Sequence, residues 1–367
     1  MLEKIKIGVL GAGRWGPNLI RSFHTFPTST VVAVVDKDLK QLQKIQERYP
    51  DIKVSDSEDL VLKNPHINAV VICTPTQSHY GLALKALENK KHLFVEKPLA
   101  TTVQDCEQLV ELARRQDLVL FVGHVFIYNA GIRCIKNYIK DGELGPIYYI
   151  HATRTNLGPI RDDVNALWDL APHDLSIFEY WLEKMPLKVT ATGGKFLNHA
   201  LEDVVFATYI YPPEHSQDGK ATRSNNVLAH IHVSWLNPKK IREIIIVGEK
   251  KMLVWDDMDL QNPIRIYDKK VVFKQVLQNR DPYAPTQDQT HTLVDTFVKF
   301  RASIQEGETF LPKIPLNEPL QSECLAFLEV LKNPTSSESS GVHGTHIVKA
   351  LAATEESLKQ NSKTVFI

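Results

Sequence analysis

The chain has 367 residues, and at about 150 residues per domain this length indicates two or three domains. Lysine plus arginine and aspartate plus glutamate both number 43, so the formal net charge is zero. This balance argues against nucleic acid or an anionic membrane as the main partner, because proteins that bind them usually carry excess basic residues. Hydrophobic residues make up 43% and charged residues 23%, which is typical of a globular protein.

The cysteines indicate a reducing compartment. The four of them, Cys73, Cys106, Cys134 and Cys324, are too widely spaced for a C-x-x-C motif. Such sparse, unpatterned cysteine is typical of the cytosol. The first residues show no signal-peptide pattern, and no apolar run reaches the 18 residues of a membrane span. We therefore predict a cytoplasmic protein.

The first 124 residues alternate short apolar runs with amphipathic segments. The predicted strands are 5–10, 30–35, 69–73, 92–95 and 119–122, and the predicted helices are 15–26, 39–49, 80–89 and 103–115. Runs such as VVAVV are continuously apolar, as expected of parallel strands that are covered on both faces. The alternation predicts a doubly wound, Rossmann-type α/β domain over residues 1–124.

The pattern changes in residues 125–367, where strands follow one another directly. The predicted strands are 147–155, 187–193, 204–211, 227–235, 243–247, 252–255 and 364–367, and the predicted helices are 129–140, one that starts near Pro172, and 345–358. Segment 297–304 is ambiguous, with an alternation that favours a strand, and the polar tracts 213–226 and 333–341 are predicted loops.

These elements predict a second, α+β domain with a largely antiparallel open sheet, used for substrate binding and oligomerisation. Helices cover only one face of such a sheet, so we expect the other face to be buried in a homodimer or homotetramer.

A glycine-rich turn follows the first predicted strand and opens a helix. In Gly11-Ala-Gly13-Arg-Trp-Gly16, Gly11 permits the tight turn, Gly13 lets a pyrophosphate approach the backbone, and Gly16 allows close helix packing. Free N–H groups at the helix N-terminus suit phosphate. Asp36 ends the next strand 20 residues after Gly16, where it can accept both ribose hydroxyls. The context predicts a dinucleotide site.

Asp36 also distinguishes two cofactors. Its carboxylate would repel the 2′-phosphate of NADP, at about 4 kcal/mol for unit charges 4 Å apart in an effective dielectric of 20. Lys37 and Arg14 would weaken that repulsion. We therefore predict NAD, with NADP less favoured.

Three further motifs resemble one family. They are Glu96-Lys97-Pro98, the loop Thr74-Pro75-Thr-Gln-Ser-His79, and Asp169-x-x-x-His173. In this order along the chain they resemble the glucose–fructose oxidoreductase, inositol dehydrogenase and rhizopine-catabolism (Gfo/Idh/MocA) family. The resemblance implies a Rossmann fold, hydride transfer at a sugar carbinol, and a lysine–histidine site. The cofactor contacts it adds to the glycines and Asp36 are Arg14, Trp15, Thr74, Pro75, His79, Glu96 and Lys97.

Segment 154–174 carries a narrower resemblance. It is similar to the sugar-nucleotide branch of that family, including the enzymes that oxidise C3 of UDP-N-acetylglucosaminuronic acid. Arg154 and Asn156 are two residues apart in an extended segment and so share a face. Arginine forks suit a diphosphate or a carboxylate, and tryptophan stacks on rings. The predicted substrate contacts are Arg154, Asn156, Arg161, Asn165 and Trp168; an exposed charged loop with a packed tryptophan is the alternative.

The predicted catalytic residues are Lys97, His173 and Asp169. Hydride transfer from an alcohol needs a group that takes the hydroxyl proton; either His173 or Lys97 would take it, and the other would hold the oxygen. Lys97 ends a parallel strand, where open α/β sheets bind ligands, and its ammonium can stabilise a developing alkoxide. His173 follows Pro172 at a predicted helix N-terminus, which disfavours imidazolium and leaves a neutral base. Asp169 either orients the ring, holds the substrate, or caps the helix.

Other histidines give weaker signals. His230 and His232 share a strand face and resemble half of a metal site, but packed histidines are the better interpretation, and His343 with His346 has no third ligand nearby in sequence. We predict no metal. The predicted function is an NAD-dependent sugar dehydrogenase that acts at C3 of a UDP-linked aminosugar or its uronic acid. The alternatives are a dehydrogenase of a free cyclitol or monosaccharide, and a non-catalytic NAD-binding regulator.

Overall fold

Two β-sheets organise the chain. The computed structural model describes residues 4–197, 200–213, 226–273, 302–315, 317–333 and 337–367. In this part of the chain, a six-stranded sheet comes from the N-terminal third and a nine-stranded sheet from the rest.

The N-terminal sheet is parallel throughout. Its strands are β1 (Ile5–Leu10), β2 (Ser29–Val35), β3 (Lys53–Ser55), β4 (Ala69–Ile72), β5 (His92–Glu96) and β6 (Leu120–Gly123), in the order β3-β2-β1-β4-β5-β6. The winding direction reverses between β1 and β4, and doubly wound folds bind ligands beyond the carboxyl ends of the strands at such a point.

Helices cover both faces of this sheet. They are α1 (Gly16–Thr25), α2 (Leu39–Arg48), α3 (Asp59–Leu62), α4 (His79–Glu88) and α5 (Val103–Arg115). Each bound of the predicted strands and of the four longer helices agrees with the structure to within one residue. The predicted Rossmann-type fold is confirmed. β3 and α3 were not predicted, because three or four residues are too short to show a hydrophobic period.

The second sheet is mixed, with one parallel pair. Its strands are β7 (Ile147–Leu157), β8 (Lys188–Gly194), β9 (Val204–Tyr211), β10 (Val227–Ser234), β11 (Leu236–Gly248), β12 (Met252–Asp256), β13 (Ile264–Phe273), β14 (Ala302–Phe310) and β15 (Val365–Phe366). The order is β14-β13-β12-β11-β7-β10-β9-β8-β15, and only β7 and β10 pair in parallel among these described strands. The predicted α+β domain with a largely antiparallel sheet is confirmed.

The remaining helices are α6 (Ala130–Lys140), α7 (Ala166–Leu182), α8 (Pro319–Lys332) and α9 (Gly341–Lys359). α7 and α9 pack against each other and against one face of the second sheet.

Helix α7 begins six residues before the predicted start near Pro172. Asn165 caps it, because its side-chain oxygen accepts from the backbone N–H of Trp168 at 3.1 Å. Pro172 is the seventh residue of the helix and removes one backbone donor there. The prediction that Pro172 opens the helix was wrong. His173 lies inside α7, so its chemistry does not come from a helix N-terminus.

Three predicted segments are only partly described. Of the ambiguous segment 297–304, residues 302–304 belong to β14 and the others lie outside the described residues. The polar tract 213–226 is described only at its two ends. In the tract 333–341, Ser340 caps α9 and Gly341 is its first residue, while residues 334–336 lie outside the described part.

Helix α8 returns to the N-terminal domain. Its Phe327 packs edge-on against three rings of that domain, with centroid distances of 6.0 Å to Phe23, 5.6 Å to Phe94 and 5.5 Å to Phe121. The core around β1, β4 and α1 therefore includes residues from near the end of the chain. The division into residues 1–124 and 125–367 stays a prediction. The structure adds that α8, which belongs to the second predicted domain, packs into the core of the first.

Candidate active site

The glycine-rich turn is shaped by its three glycines. Gly11 has a φ of +104°, and a Cβ there would lie 2.7 Å from the carbonyl oxygen of Cys73. A Cβ at Gly16 would meet the carbonyl oxygen of Gly11. A Cβ at Gly13 would meet no atom within 4 Å in the described protein, so this backbone faces open space. The turn thus forms a cradle that fits a pyrophosphate at the start of α1.

Asp36 lies beside this turn, at the carboxyl end of β2. Its Oδ2 accepts from the backbone N–H of Ala12 at 2.5 Å, and its Oδ1 accepts from that of Asp38 at 2.8 Å. The carboxylate is therefore fixed next to the cradle, where the ribose of a dinucleotide would lie.

Residues 74–79 form the next loop at this edge of the sheet. His79 is buried, with Nδ1 2.8 Å from the carbonyl oxygen of Pro98 and Nε2 2.9 Å from that of Thr74. Burial lowers the pKa of His79, and the two carbonyl oxygens oppose that shift. Both ring nitrogens are thus occupied by contacts that link two loops, and a cofactor contact of His79 stays a prediction. Thr74 and Pro75 remain at the cleft edge.

Glu96 and Trp15 contact each other across the cleft. The indole N–H of Trp15 donates to Glu96 Oε1 at 2.6 Å, and the indole is partly exposed. Burial raises the pKa of Glu96 to about 7, although Lys97 and the Trp15 hydrogen bond act in the opposite direction. Arg14, the neighbour of Trp15, is exposed. This pair fixes the tryptophan beside the glycine turn.

Lys97 bridges the two domains. It follows β5, and its Nζ donates to the backbone carbonyl of Asp169 on α7 at 2.8 Å and lies 4.0 Å from Asp169 Oδ1. Burial lowers the pKa of Lys97, with the carboxylates of Asp169 and Glu96 acting to raise it. The ammonium is therefore held at the carboxyl edge of the parallel sheet and is 16% exposed.

Asp169 is the centre of a polar network. Its Oδ1 accepts from Arg161 at 3.1 Å and its Oδ2 accepts from the indole N–H of Trp235 at 3.1 Å. Arg161 also pairs with Asp163 at 2.5 Å and keeps a third of its side chain exposed. No local pattern indicated Trp235, because it follows β10 and reaches Asp169 only through the fold. These contacts orient Asp169, which lies in the first turn of α7.

His173 lies one helical turn after Asp169 and on the same side of α7. It is partly exposed, its Nδ1 is buried, and its ring packs edge-on against Phe126 at a centroid distance of 4.9 Å. Burial lowers the pKa of His173 well below its ordinary value, and the cations Lys97 and Arg154 lower it further. Burial and the neighbouring positive charges thus favour the neutral imidazole that we expected. The prediction that a helix N-terminus would cause this was wrong, because His173 lies inside α7.

Arg154 is held by an ion pair. It is 4% exposed, and its Nε and Nη2 donate to the buried carboxylate of Asp174 at 3.0 and 2.8 Å. The guanidinium also lies over the ring of Phe126, 4.4 Å from its centroid. The fork that we expected to be free for a diphosphate or carboxylate is occupied, because Asp174 on α7 faces β7. Arg154 is therefore corrected from a substrate contact to a buried support of the site.

The other predicted substrate contacts surround the start of α7. Asn156 donates to the carbonyl of Gly158 at 2.5 Å, and Asn165 donates to Glu202 at 2.7 Å while it caps the helix. Trp168 is buried. Of the five predicted residues, Arg161 is the one that combines a charge with an exposed position in the network.

The histidine pairs lie away from this network. His230 hydrogen-bonds to Thr208 at 3.0 Å and stacks on His151, and His232 stacks on Phe206. His343 and His346 both face Glu179, with Nδ1 to Oε1 distances of 3.6 and 2.6 Å. In the described ranges no three His, Cys, Asp or Glu residues are arranged to hold a metal ion.

Two family profiles match the chain. The profile of the Gfo/Idh/MocA oxidoreductase family, NAD-binding Rossmann fold, matches residues 5–124, and that of the family's C-terminal domain matches residues 132–254. The chain belongs to the Gfo/Idh/MocA oxidoreductase family. The resemblance predicted from the motifs is thereby confirmed at the level of the family, and the cofactor of that family is NAD.

The curated relatives that this chain matches are named for different activities. A 2,7-anhydro-N-acetylneuraminate hydratase from Mediterraneibacter gnavus is 28% identical over 53% of this chain and 53% of its own length. A scyllo-inositol 2-dehydrogenase from Bacillus subtilis is 31% identical over 54% of this chain and 60% of its own. The chain thus matches about half the length of these curated relatives.

A solved structure shows the same fold. The UDP-N-acetylglucosamine 3-dehydrogenase GnnA from Acidithiobacillus ferrooxidans superimposes with a TM-score of 0.75 over 98% of this chain and 99% of its own, at 19% identity. This identity supports the fold alone. No described helix has the length and apolar character needed to cross a membrane.

Proposed function

We propose that this protein is an NAD-dependent dehydrogenase of a sugar carbinol, most favourably C3 of a UDP-linked aminosugar or its uronic acid. The observation that carries the proposal is the contact of Lys97 with Asp169, which joins the strand that ends beside the glycine turn to the helix that holds His173. This contact would bring an ammonium, a carboxylate and a partly exposed imidazole to one edge of the parallel sheet.

The residues around this edge divide the work. The turn Gly11–Gly16 and the start of α1 would hold the pyrophosphate, and Asp36 the ribose. Bound NAD supplies the hydride acceptor. Lys97 donates a hydrogen bond to the reacting oxygen and stabilises the negative charge that develops on it. His173, which burial keeps neutral, takes the hydroxyl proton. Asp169, fixed by Arg161 and Trp235, holds Lys97 in place.

Arg161 is the proposed contact for the charge of a sugar nucleotide. It is partly exposed, and a diphosphate would compete with Asp163 for its fork. The resemblance of segment 154–174 to the sugar-nucleotide branch, and the name of the Acidithiobacillus structure, support this substrate class. The free cyclitol alternative is supported by the inositol dehydrogenase relative and by the two carboxylates that already pair with Arg161.

The test is a screen of UDP-sugars and free polyols for NADH formation. We expect Arg161→Ala to raise KM about tenfold to a hundredfold for a UDP-sugar, because a charged hydrogen bond contributes about 1.5–3 kcal/mol. The KM of this variant for a free sugar should stay close to that of the parent protein. Arg114→Ala on α5, which also removes an arginine paired with a carboxylate, is the control. It should change neither the KM for a UDP-sugar nor the KM for a free sugar. Oxidation of free polyols alone would favour the cyclitol alternative, and oxidation of no sugar would favour the regulator.

Cofactor choice gives a second prediction. NAD should bind more tightly than NADP, because the Asp36 carboxylate repels a 2′-phosphate. Asp36→Ala should narrow the difference, whereas Asp59→Asn, an exposed carboxylate on α3, should not. Isothermal titration of both cofactors against the three proteins measures this, and equal affinities in the parent would contradict the role of Asp36.

We also propose that the uncovered face of the second sheet binds a second copy of this chain, as a dimer or tetramer. Phe206 and Leu228 are 43% and 47% exposed on neighbouring strands, although both are large and apolar. The double variant Phe206→Asp/Leu228→Asp should therefore sediment as a monomer, and Leu260→Asp, a change at a still more exposed apolar residue between β12 and β13, should not. A monomeric parent would contradict this arrangement. The four unpaired cysteines support the proposed cytoplasmic location.

A further inference from the structure

Three imidazoles beside the proposed active site, those of the buried His124 and His343 and of the partly exposed His173, have buried nitrogens without partners. Among the residues that the structure describes, both ring nitrogens of His124, Nδ1 of His173 and Nε2 of His343 make no hydrogen bond. A buried polar atom without a hydrogen-bond partner costs free energy. Where the protein supplies no partner, an internal water molecule usually does. The segment after β6, α7 and α9 pack against one another, so water between them would supply the missing partners of these nitrogens.

A series of side-chain contacts leads from these rings to the surface. His124 directly follows β6 at the carboxyl edge of the parallel sheet, and its ring lies 5.0 Å from that of His343 on α9, edge to face. His343 Nδ1 is 3.6 Å from Glu179 Oε1 on α7, which also contacts His346 Nδ1 at 2.6 Å. His346 is 31% exposed. The groups thus lead from the buried side of the site to solvent.

The charges along this line favour outward movement of a proton. At the inner end, burial lowers the pKa of His173, and the cations Lys97 and Arg154 lower it further. Burial and His343 lower the pKa of His124. At the outer end, burial lowers the pKa of His343, but Glu179 and Glu338 act to raise it while His346 opposes them. A proton therefore meets cations at the inner end and carboxylates at the outer end.

We propose that His124, His343, Glu179 and His346 form a relay that carries the substrate's hydroxyl proton from His173 to solvent through bridging water. The relay rests on the proposed dehydrogenase function. Oxidation of the carbinol breaks its O–H and C–H bonds: the proton passes to His173, the hydride would pass with the C–H electron pair to NAD, and the carbinol becomes a carbonyl. Each imidazole accepts a proton on one nitrogen and releases one from the other, so a single proton reaches solvent per substrate oxidised. His124 and His343 touch no reacting atom; they are positioning residues for proton transfer.

The first test compares proton release with NADH formation in a single turnover, using a pH indicator in weak buffer. In the parent the two signals should rise together. In His124→Leu and His343→Leu, proton release should lag behind NADH by about tenfold or more, and added small buffer should shorten the lag. Tyr209→Phe, which removes another buried hydrogen bond to α9, is the control and should show no lag.

The outcomes separate the relay from the proposed function. NADH formation with undelayed proton release in both leucine variants overturns the relay and leaves the dehydrogenase function intact. A parent that oxidises no sugar overturns the proposed function.

A second measurement needs no turnover and does not depend on the variants folding. Neutron diffraction of the parent protein in D2O should show ordered water bonded to the free nitrogens of His124 and to Nε2 of His343. A dry space between these rings overturns the relay.

Discussion

Replacing Lys97 by Met or His173 by Phe is expected to lower kcat by a factor of about 10²–10⁴ each, the usual contribution of a positioned acid or base. Lys97→Met removes the ammonium that contacts Asp169 and keeps the length of the side chain, and His173→Phe removes a base and keeps a ring. Neither residue forms the glycine turn or its contact with Asp36, so NAD affinity should be retained. If the two groups act together, the double variant should be little slower than the slower single variant.

Single-turnover hydride transfer at saturating NAD and sugar is the measurement. Lys91→Met is the matched control, because Lys91 is also a buried lysine that donates to backbone carbonyls, those of Asn64 and Ile67, far from the site. It should leave the rate unchanged. Rates near that of the parent in both Lys97→Met and His173→Phe would show that the assignment is wrong.

The reaction rate is also expected to depend on pH, through the protonation of His173. His173 acts as a base only when it is neutral, and its pKa is well below the ordinary value. The rate should therefore be constant near neutral pH and fall only as the pH drops through this lowered pKa, well below 6.5. His173→Phe should lack that acid limb in its residual rate.

Asp174→Ala is expected to destabilise the protein by about 3–5 kcal/mol, because it leaves the Arg154 guanidinium buried without its partner. Arg154→Met should cost a similar amount, since it leaves the Asp174 carboxylate buried alone. The double variant Arg154→Met/Asp174→Leu should lose much less than the sum, because an apolar pair needs no compensating charge.

The free energy of unfolding from urea titration measures these changes. Glu111→Ala on α5, which breaks an exposed arginine–carboxylate pair, is the control and should leave stability nearly unchanged. An Asp174→Ala protein as stable as the parent would mean that Arg154 is free to serve as a ligand, as its position in the sequence had suggested.

Local sequence patterns predicted most of the N-terminal domain. Continuous apolar runs and the helical spacing of Cys106, Leu109 and Ala113 depend only on neighbouring residues, so those elements agree closely with the structure. Helix α7 was misjudged because Pro172 looked like a helix start. The local signal that would have found the true start is Asn165, a favoured N-cap residue that precedes an apolar run.

The candidate site was predictable in part. Lys97, Asp169 and His173 followed from the resemblance, and the structure brings Lys97 to Asp169. The pairing of Arg154 with Asp174 could not be read from the chain, because it depends on how a helix packs on a strand 20 residues away. Glu179 escaped notice for the same reason: only the packing of α7 on α9 brings it to His343 and His346.

The place of Phe327 in the N-terminal core has a consequence for synthesis of the chain. The rings that it contacts have all been synthesised by residue 121, but helix α8 ends at Lys332. At about 5–20 residues per second, roughly 10–40 s pass before α8 can follow. During this interval Phe23, Phe94 and Phe121 border an open apolar cleft, which is a site for a chaperone or for aggregation. Completion of the first domain must therefore wait until α8 has been synthesised.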